Sequence, residues 1–360
     1  MRDLITRKVI PTLAQNILAQ PDALRAVRAH HFSDDREPLV RAAELLRSSK
    51  RIVLSGMGAS LFACIPLQYF FASRGVAASL VETAELLYFE SAALDARTAV
   101  VLVSRSGESV EITKLLPLLK QARCHVIGVS NVAGSTLARE ATQSVLIGSP
   151  ADELVAIQTY TASIVTLLLL GAAYFLDLYG AIKSEFDAAI DAFSPWLPEC
   201  FHWSGSWPSF FASREPLYLL GRGPSLASVA AGALLFHEVA KMPAVAMSAA
   251  QFRHGPVEVL ADQFHSVIFG TQDATRELDF ALAQDLLKTG QVRWIGPAMP
   301  YSVPILYAWP SSFPERFAPI AEIVLLQIAA YRTAEWRGIP LGKFRFAPAI
   351  TTSETGFAAS

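Results

Sequence analysis

Leu54-Ser-Gly-Met-Gly-Ala-Ser60 and Leu219-Leu-Gly-Arg-Gly-Pro-Ser225 lie 165 residues apart and agree at Leu, Gly, Gly and Ser. In each, an apolar run ends in Gly-x-Gly and opens into a helical segment. The same offset sets the run ending Val81-Glu82 against Ala246-Met247, and Val101–Ser104 against Ser266–Phe269. Three runs in register at one offset indicate a duplicated unit.

Outward from those glycines, short β-branched runs alternate with longer helical segments, the pattern of α/β architecture with parallel sheets. The expected strands of the first half are Arg51–Ser55, Ala78–Val81, Ala99–Val103, His125–Ser130 and Val145–Gly148. Those of the second half are Leu217–Leu220, Ala244–Met247, Ser266–Phe269, Val292–Ile295 and Ile305–Ala308. Several are apolar without alternation, as strands covered on both faces are. The expected division is a helical lead-in over 1–47, broken at Gln20-Pro21, and a first unit over 48–180. A connecting helix and loop over 181–211 follows, with Pro195, Pro198 and Pro208 as breakers, then a second unit over 212–337 and a tail over 338–360.

Hydrophobic residues make up 52% of the 360 and charged residues 17%, which excludes a disordered chain. Thirty basic against 32 acidic side chains leave a net charge of −2 with no basic run, so nucleic-acid binding is not expected. Three cysteines without ligand-like spacing argue against a disulfide framework or a zinc site and fit a cytoplasmic protein. Arg2, Asp3, Arg7 and Lys8 flank only a short apolar stretch, so no signal peptide is expected. Leu154–Leu176 holds 23 residues without a charge, long enough to cross a bilayer. Its first third is polar, however, and its flanks Asp152, Glu153 and Asp177 are acidic. A core or subunit-interface helix is expected there instead of a membrane span.

The densest chemistry is Ser104-Arg105-Ser106-Gly107-Glu108-Ser109, directly after an expected strand and before the helical Val110–Lys120. A strand that turns through Ser and Gly into a helix offers backbone N–H groups, hydroxyls and a positive dipole end, which suits a phosphate. The plainer reading is that Ser106 or Ser109 caps the helix, with Glu108 favouring its first turn. The counterpart Gly270–Ala274 lacks the pattern, so one copy kept a task the other does not have. Ser60 of the glycine turn can face the same pocket, since ligands of parallel sheets lie beyond the strands' carboxyl ends. Glu238 closes an almost wholly apolar helical segment, where burial would raise its pKa and make it a usable base. Alternatively it pairs with Lys241. His254, in the turn Gln251-Phe-Arg-His-Gly-Pro256, suits acid/base work or a simple backbone hydrogen bond.

Taken together, the paired units, the Ser104–Ser109 turn, the Glu238 helix and the His254-Gly-Pro turn resemble the tandem sugar-isomerase (SIS) domain proteins. The nearest resemblance is to the isomerase half of glutamine–fructose-6-phosphate aminotransferase, with the stand-alone phosphosugar isomerases and amino-sugar-phosphate deaminases. It covers nearly the whole chain. The resemblance implies two tandem α-β-α sandwich units, each around a five-stranded parallel sheet, with the tail over the active site. It also implies a sugar phosphate held by Ser60, Ser104, Arg105, Ser106 and Ser109, and Glu238 moving a proton between C1 and C2. His254 would open the sugar ring from the neighbouring subunit of a homodimer, and no cofactor or metal is implied. Arg105 stands where the synthase has glutamine, Ala59 where it has threonine, and Ala349 where it has lysine between Arg345 and Glu354. The chain starts Met1-Arg2, which implies no glutaminase chemistry. The expected activity is therefore isomerisation or deamination of a sugar 6-phosphate, amino sugars included, with a non-catalytic sugar-phosphate sensor as the alternative.

Overall fold

The computed structural model describes residues 12–32, 37–176, 179–213, 215–261, 263–299 and 303–356. Among these described residues nine parallel strands form two sheets. The first has the order β2-β1-β3-β4-β5, with β1 Arg51–Gly56, β2 Ala78–Glu82, β3 Thr98–Val103, β4 His125–Ser130 and β5 Gln143–Leu146. The second has the order β7-β6-β8-β9, with β6 Leu217–Gly221, β7 Ala244–Ser248, β8 His265–Phe269 and β9 Gln291–Ile295. Strand order therefore repeats, as the duplicated glycine turns require. β3 is buried along its whole length, which explains its unbroken Val-rich sequence.

Two expectations need correction. The fifth strand of the second unit, expected at Ile305–Ala308, is reduced to a single bridge between Ile305 and Trp294. Trp196 Nε1 donates to the Ala308 carbonyl at 2.6 Å, so a side chain occupies an acceptor that a ladder would have used. Two of the three breakers also fail. Pro195 and Pro198 lie inside one 25-residue helix, Tyr179–Trp203, and only Pro208 starts a new one. An interior proline costs a helix roughly 3 kcal/mol. Phe193, Trp196, Leu197 and Cys200 are all buried from this same stretch, and their packing offsets that cost.

The duplication itself slips by one residue. In the first sheet Gly56 pairs with Glu82 and Val103, and in the second Gly221 pairs with Ser248. Glu82 thus corresponds to Ser248, not Met247, and the offset grows to 166 beyond the first strand. The extra residue is absorbed at the end of the helix Leu226–Leu235, which widens into a π turn over Phe236–Ala240. Inserted residues of this kind produce such bulges, frequently at functional sites. Glu238 sits in that turn.

The uncharged stretch at Leu154–Leu176 becomes the helix Gln158–Tyr174, buried over nearly its whole length inside a single chain. Asp152, one of the acidic flanks, caps it by accepting from the N–H groups of Ile157, Gln158 and Thr159 at 3.0, 3.2 and 2.9 Å. Among the described residues one helix is long and apolar enough to cross a membrane, Glu315–Trp336, and 94% of its apolar window is buried in the fold. The lead-in helix Gln20–His31, begun at Pro21, ties both units together. Gln20 Nε2 donates to Gln327 Oε1 at 2.7 Å, while its own Oε1 accepts from Thr161 Oγ1 at 3.1 Å.

Candidate active site

Both turns at the carboxyl end of the first sheet border one cleft of about 290 Å³, with the π turn of the second unit on its far side. The glycine turn is fixed sterically. A Cβ at Gly56 would meet the Leu61 nitrogen at 2.8 Å. Ser60, at the start of the short helix Ala59–Phe62, is thereby set at the cleft wall.

Gly107 makes the second turn. Its φ is +68°, and a Cβ there would lie 2.3 Å from Ser135 Oγ, so only glycine fits. The backbone then folds back on the serines. Gly107 N–H donates to Ser104 Oγ at 3.1 Å, and Glu108 N–H to Ser106 Oγ at 3.3 Å. A hydroxyl that accepts from a backbone amide keeps its own proton free to donate, which is what an anion requires. Ser104 Oγ lies 3.4 Å from Ser109 Oγ. Ser60, Ser104, Ser106 and Ser109 all line the cleft, together with Arg105, whose Nη1 donates to the Leu154 carbonyl at 3.2 Å.

The capping reading does not describe this turn. Ser109 holds the N-cap position of the helix Val110–Gln121 but makes no side-chain cap bond. Val110 N–H instead donates to the Thr351 carbonyl of the tail at 3.0 Å. Glu108 serves a different helix, accepting from Thr136 N–H at 2.6 Å and Thr136 Oγ1 at 2.9 Å, and these bonds hold its carboxyl below the usual range. The expected supply of free amides is therefore smaller than the sequence suggested, and hydroxyls together with Arg105 make up the polar lining on this side.

Across the cleft, the half-buried Glu238 has its pKa pushed up to about 7 by desolvation, against the opposing pull of the Arg105 and Lys241 charges. Lys241 does not pair with this carboxylate. Held in the left-handed region at φ 52°, it points its ammonium at the carbonyls of Glu238 and Lys343. Glu238 thus faces the cleft with a proton affinity near neutrality.

His254 is not brought to this cleft. It lies exposed in the turn between the helix Ala249–Phe252 and the short turn Pro256–Val259, on its own chain's surface. Tail residues Phe344 and Ala347–Thr351 roof the cleft, and Ala349 is among them. Beyond them Glu354 accepts from Tyr88 Oη and pairs with Lys114, fastening the strap to the first unit. Sequence reasoning missed the Leu154–Ala156 wall and the Thr351 carbonyl. Main-chain groups and small apolar residues leave no pattern that could have marked them.

Residues 45–176 match the SIS domain family. Over 337 residues the chain is 28% identical to glutamine–fructose-6-phosphate aminotransferase (isomerizing) of Pyrococcus horikoshii, covering 91% of this chain and 55% of that protein. The chain spans about half the length of the curated relatives it matches. Its fold is similar to tagatose-6-phosphate ketose/aldose isomerase from Escherichia coli, with a TM-score of 0.79 at 20% identity, covering 93% of this chain and 96% of that one. It is similar also to glucosamine-6-phosphate deaminase from Thermotoga maritima, with a TM-score of 0.72 at 18% identity, covering 91% and 96%.

Proposed function

We propose that this chain, whose residues 45–176 match the SIS domain family, isomerises or deaminates a sugar 6-phosphate, with amino sugars as the preferred class, by proton transfer between C1 and C2. One observation carries the reading: a single cleft joins a cradle of serine hydroxyls to a half-buried carboxylate, whose pKa burial pushes up to about 7. The phosphate end is held by Ser60, Ser104, Ser106 and Ser109, with Arg105 adding charge. The open-chain carbons then reach toward Glu238. Its carboxylate removes the C2 (or C1) proton, the carbonyl oxygen takes up the electron pair and a proton from water to give an enediol or enolamine, and the proton on Glu238 returns to the adjacent carbon; in deamination water then hydrolyses the resulting imine and ammonia leaves. No metal or organic cofactor is called for, because the substrate carbonyl itself acidifies that proton.

Ring opening falls to His254. Its exposure outside the cleft of its own chain favours service in the cleft of a second copy, and hence a homodimer with shared sites. Ala349 in the roof, at the place where the resemblance expects lysine, favours the second reading, a sensor that binds sugar phosphate without turnover. Incubation with hexose and hexosamine 6-phosphates, assaying ketose and ammonia, tests the proposal. Product from at least one sugar supports the enzyme; binding without product supports the sensor. A mass of one chain in sedimentation equilibrium would refute the shared site.

A further inference from the structure

The second sheet carries turns at the same two places at its carboxyl end as the first, but here the turn hydroxyls do not line the neighbouring cleft. Ser225 ends the glycine turn as Ser60 does in the first unit. Thr271 follows β8 by two residues, as Arg105 follows β3. Both side chains are buried, and their oxygens lie 3.1 Å apart. Both hydroxyls converge on one atom, Oε1 of Glu322, with Ser225 Oγ at 2.7 Å. Glu322 projects from the helix Ala318–Trp336, is fully buried, and has no hydrogen-bond partner for its Oε2. No lysine or arginine forms an ion pair with it among the described residues. An unpaired buried carboxyl is costly, so its retention beside two hydroxyl donors calls for a reason.

We infer that Glu322 is an internal ligand of a second oxyanion cradle: its carboxyl fills the place in the second unit that a small oxyanion, carboxylate or phosphate, would otherwise take. Each chain then offers one open oxyanion site instead of two. Burial raises the Glu322 carboxyl above its usual range, against the opposing pull of the Thr271, Ser228 and Ser225 hydroxyls.

Glu322→Ala empties the cradle, and formate replaces what was removed. Formate at tens of millimolar should raise the melting temperature of Glu322→Ala by about 2–4 °C more than that of wild type, whose cradle is full. Adding Ser225→Ala and Thr271→Val to Glu322→Ala should abolish this difference. An equal rise in wild type and variant, no rise at all, or a rise that survives loss of both hydroxyls overturns the inference. Should Glu322→Ala fail to fold, Glu322→Met carries the test. Removing both hydroxyls should then lower the melting temperature at least twice as much in wild type as in Glu322→Met, and equal losses overturn the inference. Two bound inorganic phosphates per wild-type chain in equilibrium dialysis overturn it as well. Absence of phosphate binding to wild type contradicts the proposed function, whereas the formate comparison reads the inference alone.

Discussion

The carboxyl ends of the two sheets share strand order and a serine-ended glycine turn, yet differ in what surrounds those turns. At the first, Ser60, Ser104, Ser106 and Ser109 line an open cleft whose far wall supplies Glu238 from the second unit's helix. At the second, the corresponding helix end of the first unit brings Tyr69, Ser73 and Arg74 to a cleft that also holds Glu185, Glu315 and Arg316. There the turn hydroxyls are closed on Glu322, and Arg316 is paired with Glu185. Among the described residues no carboxylate stands at the end of the helix Ile65–Ala72 itself. On the proposed function, the difference teaches that duplication supplies the geometry of a site twice, while one inserted residue and one carboxylate would decide which copy binds and reacts. The insertion is the π turn that carries Glu238, absent from the first unit's helix Ile65–Ala72.

The largest effect expected from breaking this contrast is at Gly107. Gly107→Ala would drive a Cβ into Ser135 Oγ and force a left-handed φ on alanine, so the turn cannot keep its shape. Sugar-phosphate binding should be lost at any practical concentration, as read by calorimetry, while circular dichroism still reports an α/β fold. Wild-type affinity in this variant would mean that phosphate binds elsewhere. Ser106→Ala removes one hydroxyl donor, and a hydrogen bond to a charged group contributes about 1.5–3 kcal/mol, so affinity should fall roughly ten- to a hundredfold. Unchanged affinity would reduce the turn to a helix start.

A subtler effect concerns pH. Glu238 must be ionised to accept a proton, so kcat/KM should rise as pH climbs through about 7 and level off above it. Because its folded pKa is raised, the carboxyl costs stability as it ionises. Glu238→Gln should therefore melt above wild type at pH 8 and together with it near pH 4. The opposite order at pH 8 would show that the carboxylate is stabilised in place. The smallest effect lies in the strap. Lys114→Ala breaks a surface pair worth about 0–1 kcal/mol, so affinity should change less than about fivefold. A larger loss would make the tail a principal binding element.

Much of this was legible in the residues. The Val-rich runs and the two Gly-x-Gly turns marked the strands and their repeat, because burial on both faces and close backbone approach leave few residue choices. The Ser104–Ser109 turn and Glu238 stood out for the same reason, each being polar where an apolar residue would serve the fold better. Elsewhere the sequence misled. A proline is a local signal, and at Pro195 and Pro198 the packing of Trp196 and Leu197 overrode it. The one-residue slip at the π turn was invisible because matched glycines fix an offset only where they stand. Glu322 carried no motif at all. Its meaning lies in Ser225 and Thr271, 97 and 51 residues away along the chain.

Glu238 as the proton-transfer base is the claim on which the contrast between the two clefts turns. Its most direct test is exchange of the substrate's C2 hydrogen in deuterated water, followed by proton NMR for wild type and Glu238→Gln with the same saturating sugar 6-phosphate. Loss of a general base lowers rates by on the order of 10²–10⁴-fold, and the exchange rate should fall by that factor while the dissociation constant barely moves. Exchange in Glu238→Gln at the wild-type rate, or none in a wild type that binds the sugar, would contradict it.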